Sequence, residues 1–267
     1  QGADMVKAVR ASDRIVQIGM QRRSSPAILE MKKLFDENAL GDIRLVQAEW
    51  FWDVPINPNP DLPGKLDWER FCGPAGRQEF KPIKFRAWRL FWPFSGGNET
   101  DQGTHLMDVV QWMMGAEKPI AALQFGDVYR TKGTQTPDTF ACTFEYPDFM
   151  ATWTLTYTSN KFRNGWSITF HGEKAALMLT EAGYRVFDQV NGWETGLPKA
   201  KIENLPGNVT STDPHTANFL ECIKTRKQPN ATVEIGHRAV RPLHLANAAL
   251  KHRARAVLGE DGITIKV

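Results

Sequence analysis

Hydrophobic residues recur at helical spacing within the stretch Ser95–Gly115, after the helix-breaking pair Gly96 and Gly97. One face of this predicted helix is apolar and carries Leu106, Val109, Val110 and Met113. A second face carries Asp101, His105, Asp108 and Trp112, at offsets of four, three and four residues. The helix is predicted to end at Gly115, with its apolar face on the core.

The chain before this helix reads as helix, strand, helix. Residues 4–12 are predicted to end a helix, and Arg14–Gly19 is predicted to be a short buried strand. Residues 26–40 form an amphipathic pattern, with Ser25 as N-cap and Gly41 as the stop. Its predicted buried stripe is Ile28, Met31, Leu34 and Phe35. Such an order is typical of the end of an α/β domain.

Alternating patterns predict strands through most of the remaining chain. Arg44–Trp52 is one strand, residues 65–71 are a short helix, and residues 81–94 are a covering loop. The later strands are predicted at residues 120–129, 139–146, 151–158, 166–171, 175–180 and 184–187, with a further edge strand. Residues 188–212 are predicted to be irregular, followed by helices at 214–224, with Asp213 as N-cap, and at 235–258.

These elements predict an α+β fold with a large open, mostly antiparallel sheet, because the connections between strands are of hairpin length. Helices would cover one face of the sheet, and the other face would be exposed unless a second copy of the chain packs there. We expect two parts: residues 1–25, the remnant of a dinucleotide-binding Rossmann domain, and residues 26–267, an α+β domain for substrate and oligomer contacts.

Composition narrows the functional classes. The 267 residues are 42% hydrophobic and 24% charged, which is ordinary for a globular protein with a sizeable core. A net charge of +3 without basic runs argues against nucleic acid as a partner. Cys72, Cys142 and Cys222 are isolated and have no metal-ligand spacing. No stretch of the sequence is apolar enough to predict a membrane span.

The strongest chemical signal is the pair Asp101 and His105, which lie one helical turn apart. A histidine can exchange protons at neutral pH, and a neighbouring carboxylate can hold its tautomer. The alternative is structural, because acidic residues suit the first turn of any helix. Gly103 between them suggests that something packs closely against the backbone. A divalent metal bound by Glu99, Asp101 and His105 is a further alternative.

The stretch SGGNETDQGTHLMDVVQWMMG resembles the Gly-Gly…Asp-x-x-x-His…Asp signature of the glucose–fructose oxidoreductase/inositol dehydrogenase/MocA family. Three other stretches match in the expected order: IGMQRRSSPAILEMKKLFDENALGDI, FHGEKAALML and HTANFLECIKTRKQPNATVEIGHRA. The resemblance implies an NAD(P)-dependent oxidoreductase that acts on sugar- or polyol-like alcohols. It implies that Asp101 and His105 orient the substrate and move its hydroxyl proton. Candidate substrate contacts are Arg22, Arg89, Trp92, Asn98 and His215.

The sequence departs from the family at the cofactor site, since it contains no GxGxxG motif. The family binds NAD or NADP, whereas this chain is expected to lack most of the Rossmann domain and to bind neither by itself. An alternative function is therefore a non-redox activity of the Asp101/His105 cleft, such as metal-assisted hydrolysis, or an oligomerising binding module. We expect a carbohydrate-like small molecule and a second copy of the chain as partners, no membrane, and a cytoplasmic or, alternatively, exported protein.

Overall fold

The computed structural model describes residues 1–53, 55–57, 59–160, 165–189 and 198–267. In these ranges the helices are α1 (Gly2–Arg10), α2 (Pro26–Asp36), α3 (Trp68–Cys72), α4 (Pro82–Arg86), α5 (Gly97–Met113), α6 (Asp213–Thr225) and α7 (Val233–His252). Short 3₁₀ turns include Gln21–Ser24 and Trp88–Leu90. None of the helices in the described ranges has the length and apolar character needed to cross a bilayer.

The strands of the described residues belong to one sheet in the order β10-β9-β2-β3-β4-β1-β5-β6-β7-β8. Their bounds are β1 Ile43–Phe51, β2 Ala121–Asp127, β3 Thr139–Glu145, β4 Met150–Thr156, β5 Gly165–Gly172, β6 Ala175–Thr180, β7 Gly183–Asp188, β8 Ile202–Asn204, β9 Ala256–Leu258 and β10 Ile265–Lys266. The pairing is antiparallel except between β1 and β4. Strands β4 and β5 run in opposite directions and β1 lies between them, so β1 must be parallel to one of the two. The predicted α+β class and the mostly antiparallel sheet are confirmed.

One face of the sheet forms the core with α5 and α7. Val46, Ala48 and Trp50 of β1 are buried there, as the alternation in the sequence predicts. The apolar stripe of α5 is buried against the same face, with Val109 and Val110 fully inaccessible to solvent. On the opposite face, large apolar side chains remain exposed: Leu123, Phe125 and Met150. The sheet therefore has one face covered by helices and one face that carries exposed apolar groups.

Several predicted boundaries are wrong. Residues 14–19 are extended but form no strand, because they pair with no strand of the sheet; Ile18 N–H donates instead to the carbonyl of Ala231, in the loop before α7. The last helix ends at His252, where Arg253 adopts φ 52°, and β9 follows. The region 188–212 contains β8, and its residues 190–197 lie outside the described ranges. The division at residue 25 stays a prediction.

Two helix starts and one predicted loop also differ in detail. Ser25 precedes α2, but its side chain makes no capping hydrogen bond, and the helix ends at Asp36, before Gly41. Asp213 begins α6 as its first residue, with Thr212 at the N-cap position. The predicted covering loop 81–94 contains α4 and a 3₁₀ turn. These shifts of a few residues leave each helix on the face that its pattern predicts.

Gly103 marks the place where α5 approaches the core most closely. A Cβ atom built on this residue would lie 2.8 Å from Nε1 of Trp153 and 2.9 Å from Cδ2 of Leu243. Trp153 is fully buried on β4, and Leu243 is fully buried on α7. The close packing predicted at Gly103 therefore exists, and the groups that approach are core side chains.

We expect Gly103→Ala to destabilise the protein by about 1–2 kcal/mol. Alanine favours the helix by about 1 kcal/mol, but overpacking a filled core costs about 1–3 kcal/mol, and the rigid indole of Trp153 has little room to move. Urea unfolding measures the difference. Gly115→Ala is not a suitable control, because Gly115 has a positive φ of 62°; Thr104→Ala, on the half-buried side of the same turn, is the matched control. A Gly103→Ala protein as stable as the wild type would contradict the close approach.

Candidate active site

Helix α5 positions the two predicted catalytic side chains. The helix begins at Gly97, whose φ of 76° suits glycine, and a Cβ on this residue would lie 2.8 Å from Cβ of Thr136. The chain can therefore turn sharply into the helix directly beneath the β2–β3 connection. Asp101 and His105 follow on the side of the helix that is only partly buried.

His105 lines a cavity of about 370 Å³. Its Nδ1 atom is buried and has no hydrogen-bond partner among the described residues. Burial and, after it, the positive charge of Arg22 together lower the pKa of His105 to about 4. The imidazole is therefore neutral at physiological pH, which is the form that can accept a proton.

Asp101 has a different partner from the one that its spacing suggests. Its Oδ2 accepts a hydrogen bond of 2.8 Å from Nε of Arg89, and both side chains are partly exposed. No hydrogen bond joins Asp101 to His105 in the part of the chain that the structure describes. The carboxylate is thus held at the start of α5 by Arg89, and it does not fix the tautomer of His105 in this state.

Tryptophan side chains form the aromatic part of the cavity wall. Trp50 and Trp52 come from β1 and the residue after it, and Trp166 comes from β5. Trp50 and Trp52 pack edge to face with ring centroids 4.8 Å apart. The remaining lining residues are Gln21, Arg22, Gln102, His105, Gly165, Glu181 and Thr210. Aromatic surface combined with converging polar side chains is a feature of small-molecule sites.

Two adjacent arginines of the 3₁₀ turn, Arg22 and Arg23, have different environments. Nε of Arg23 donates to both carboxylate oxygens of Asp108, at 2.9 and 2.8 Å, and Nη2 donates to Oδ1 at 2.8 Å. Both side chains are buried, so this bidentate pair fixes the 3₁₀ turn Gln21–Ser24 on α5. Arg22 instead stacks on Trp166, with Cζ 4.0 Å from the ring centroid.

Asn98 and Glu99 lie on the core side of the helix and do not line this cavity. Both are buried, and Nδ2 of Asn98 donates to the hydroxyl of Tyr157. Burial raises the pKa of Glu99 well above its usual value. The side chain of Gln124 lies close to the Glu99 carboxyl, although no hydrogen bond of normal geometry joins them. Burial therefore favours the neutral form of the Glu99 carboxyl inside the core.

Trp92 and His215 are also used elsewhere in the fold. The ring of Trp92 lies 4.0 Å from Nζ of Lys251 in a cation–π contact. His215 is buried, with Nδ1 2.8 Å from the Ser24 hydroxyl and Nε2 2.9 Å from the Ile18 carbonyl oxygen. Both ring nitrogens thus have protein partners. Neither Trp92, His215 nor Arg89 lines the cavity that contains His105.

The structure gives a metal site little support. Among the described residues, no group of three or more histidine, cysteine or acidic side chains is placed to hold an ion. Glu99, Asp101 and His105 face the core, Arg89 and the cavity respectively. The three candidate ligands therefore diverge.

Sequence reasoning missed most of the cavity wall. Trp50, Trp52, Trp166, Glu181 and Thr210 are far apart in the sequence, and the structure brings them around His105. The only sequence signal for them is the abundance of tryptophan, with nine in the chain. Core packing and ligand contact use tryptophan equally well, so abundance alone does not locate a wall.

The described residues do not form a complete dinucleotide site. Such a site needs a strand that leads through a glycine-rich turn into a helix, whose first amides hold the pyrophosphate. None of the described strands leads directly through such a turn into a helix.

The comparison with protein-family models identifies one family. Residues 28–178 match the model of the GFO/IDH/MocA C-terminal domain. No curated protein matches the sequence. Solved structures with a similar fold include the WlbA dehydrogenase from Bordetella pertussis in complex with NADH and UDP-GlcNAcA, at 18% identity and a TM-score of 0.65, covering 97% of this chain and 67% of that one.

Two further solved structures share the fold. A levoglucosan dehydrogenase in complex with NADH and levoglucosan is 16% identical, with a TM-score of 0.68 over 97% of this chain and 70% of its own. The aldose-aldose oxidoreductase from Caulobacter crescentus, complexed with glycerol, is 19% identical, with a TM-score of 0.68 over 96% of this chain and 68% of its own. This chain therefore spans about two thirds of the length of each neighbour.

We expect Glu99→Gln to stabilise the protein at pH 8 and to have little effect near pH 4.5. Glu99 stays protonated in the folded state, while the unfolded chain ionises above its ordinary pKa, so the unfolded state binds fewer protons and stability falls as pH rises. The free energy of unfolding of the variant, relative to that of the wild type, should rise by up to about 1.4 kcal/mol per pH unit. Urea unfolding from pH 4.5 to 8 measures it, with the exposed Glu260→Gln as control. Equal pH slopes for the variant and the wild type would contradict a neutral Glu99.

Proposed function

The chain belongs to the GFO/IDH/MocA family, and on this basis we propose that it provides the substrate-binding part of an NAD(P)-dependent oxidoreductase that acts on sugar- or polyol-like alcohols. The observation that carries the proposal is the neutral imidazole of His105 in a cavity walled by tryptophans. The neighbouring fold members were crystallised with NADH and with a sugar nucleotide or an anhydrosugar. The family prediction made from the signature is confirmed.

The cavity suits a sugar-sized alcohol. Its volume of about 370 Å³ lies in the range of small-molecule sites. Trp52, the partly exposed member of the three tryptophans, offers aromatic surface for the C–H groups of a ring, and Gln102 and Gln21 offer amides for its hydroxyls. A ring held against this surface has its hydroxyl groups directed to the polar residues, among them His105.

His105 is assigned the proton-accepting role. Its imidazole is neutral, its Nδ1 already lacks a partner, and it faces the cavity. A bound NAD(P) supplies the ring that accepts the hydride. The residues of this chain bind the alcohol, orient it and take up its hydroxyl proton at the imidazole.

Asp101 is assigned a role in orienting the substrate from one helical turn before His105; it is not among the residues that line the cavity. Its carboxylate is partly exposed, and one oxygen is held by Arg89. A substrate hydroxyl can hydrogen-bond to the second oxygen without breaking that ion pair. The pair fixes the carboxylate in one position, which reduces the entropy lost when the substrate binds.

A sugar panel tests the function. The chain, joined to the dinucleotide-binding domain that the proposal requires, is incubated with NAD or NADP and with neutral sugars, polyols and sugar acids, and reduced nicotinamide is measured. His105→Asn should lower the rate of hydride transfer by about 10²–10⁴-fold, because a positioned base contributes that much, while sugar binding measured by tryptophan fluorescence changes little. The control is His252→Asn, an exposed histidine at the end of α7. An unchanged rate in His105→Asn, or no sugar oxidised with either cofactor, would refute the proposal.

We also propose that a second copy of this chain covers the open face of the sheet. Leu123, Phe125 and Met150 expose apolar side chains there, with Phe125 69% exposed. An apolar sheet face of this kind fits a self-complementary contact, since most soluble homo-oligomers are two-fold symmetric.

Sedimentation tests the second copy. The wild type should sediment as a dimer or larger, and Phe125→Glu should shift it toward the monomer, because the charge must be desolvated at the contact. Ile263→Glu, which places the same charge on an equally exposed apolar residue near the C-terminus, should leave the size unchanged. A monomeric wild type would contradict the proposal and would leave the assignment of His105 intact.

A further inference from the structure

Arg22 is a buried cation without a hydrogen-bonded anion. Its side chain is 2% exposed, and its Nε and Nη1 atoms have no hydrogen-bond partner among the described residues. The adjacent Arg23 makes three hydrogen bonds to Asp108. A buried charge without a partner is costly, so its retention beside a fully paired arginine points to a partner that comes from outside the chain.

The acidic groups nearest to Arg22 are already engaged. The negative charges of Glu181 and Asp108 both raise the pKa of Arg22. However, Oε2 of Glu181 accepts from Nε1 of Trp166 at 2.8 Å, and Oε1 accepts from the Thr210 hydroxyl at 2.6 Å. Both oxygens of Asp108 are taken by Arg23. Because burial outweighs these attractions, the pKa of Arg22 falls to about 10, and the side chain remains a cation at neutral pH.

The surroundings of Arg22 keep its guanidinium in place without neutralising it. Cζ lies 4.0 Å from the ring centroid of Trp166 and 5.9 Å from that of Trp50. Stacking on indole faces stabilises a guanidinium and leaves its N–H groups for a ligand. Arg22 lines the same cavity as His105, so a ligand that meets the cation also meets the proposed base.

We propose that the substrate of this cavity is an anionic sugar, one that carries a carboxylate or a phosphate, and that Arg22 is the residue that selects it. This inference rests on the proposed function and narrows its substrate class. An anionic group in the cavity supplies the partner that Arg22 lacks, and Trp52 holds the sugar ring. A neutral sugar would leave the cation unpaired.

The anion would also act on His105. The positive charge of Arg22 is one of the causes that lower the pKa of His105, after burial. A bound anion offsets this charge and makes the imidazole a stronger base in the complex than in the free protein. The other charged groups around the two side chains are Glu181, the Arg23–Asp108 pair and the Arg89–Asp101 pair. Each of these already has hydrogen-bond partners within the protein.

Calorimetric titration tests the selection, with glucose, glucuronate and glucose 6-phosphate as the probes. We expect the wild type to bind at least one of the two anionic sugars about tenfold or more tightly than glucose. The anionic sugar that binds more tightly shows whether Arg22 selects a carboxylate or a phosphate. Arg22→Met should abolish the preference, whereas Arg22→Lys, which keeps the charge, should retain part of it. Arg255→Met removes an exposed arginine that pairs with Glu145 and does not line the cavity, so it should preserve the full preference.

Two results would overturn the inference. One is equal affinity for glucose and both anionic sugars in the wild type, and the other is an undiminished preference in Arg22→Met. If Arg22→Met does not fold, the ¹⁵N resonance of Arg22 Nε decides in the wild type: it should shift on addition of the better anionic sugar and not on addition of glucose. Failure of this inference leaves neutral sugars bound and oxidised, whereas failure of the proposed function leaves no sugar oxidised at all.

Discussion

The buried ion pair between Arg23 and Asp108 determines where the other parts of the site lie. It joins a 3₁₀ turn near the N-terminus to the middle of α5, with three hydrogen bonds shielded from solvent. The same turn is held to α6, where the Ser24 hydroxyl lies 2.8 Å from Nδ1 of His215, but the ion pair ties it directly to the helix that carries His105. A bidentate arginine–carboxylate pair specifies orientation as well as proximity, and a single point charge would not. The ion pair therefore helps to set the position of Arg22 relative to His105.

Helix α5 carries two groups whose pKa values differ from those in water. Burial and a nearby cation lower the pKa of His105, and burial raises the pKa of Glu99, on the core side of the same helix. Arg22 remains a cation although it is just as inaccessible. The helix therefore separates a neutral core from a cavity with a positive wall, and the difference arises from which side chains each face contacts.

The sequence predicts the elements better than it predicts the site. The periodicity of α5 and the alternation of β1 to β7 identify which face of each element is buried, since burial follows directly from those periods. These periods do not identify which distant elements meet, so Trp166, Glu181 and Thr210 could not be placed beside His105 from the sequence. Nor does it separate Arg22 from Arg23, which are adjacent and chemically identical, yet only one finds a carboxylate. Residues 14–19 have the composition of a strand but no neighbouring strand.

The position of β1 between β4 and β5 has a consequence for how the chain folds. Strands β4 and β5 follow each other in the sequence, but they cannot pair as a hairpin, because β1 separates them in the sheet. Strand Ile43–Phe51 emerges from the ribosome long before Met150–Thr156 and Gly165–Gly172, the segments on either side of it. The centre of the sheet therefore depends on contacts between remote segments, which carry a high loop-closure entropy and form slowly. Trp50 and Trp166, which sit on β1 and β5, reach their final places only when this slow step is complete, so the cavity is among the last features of the molecule to assemble.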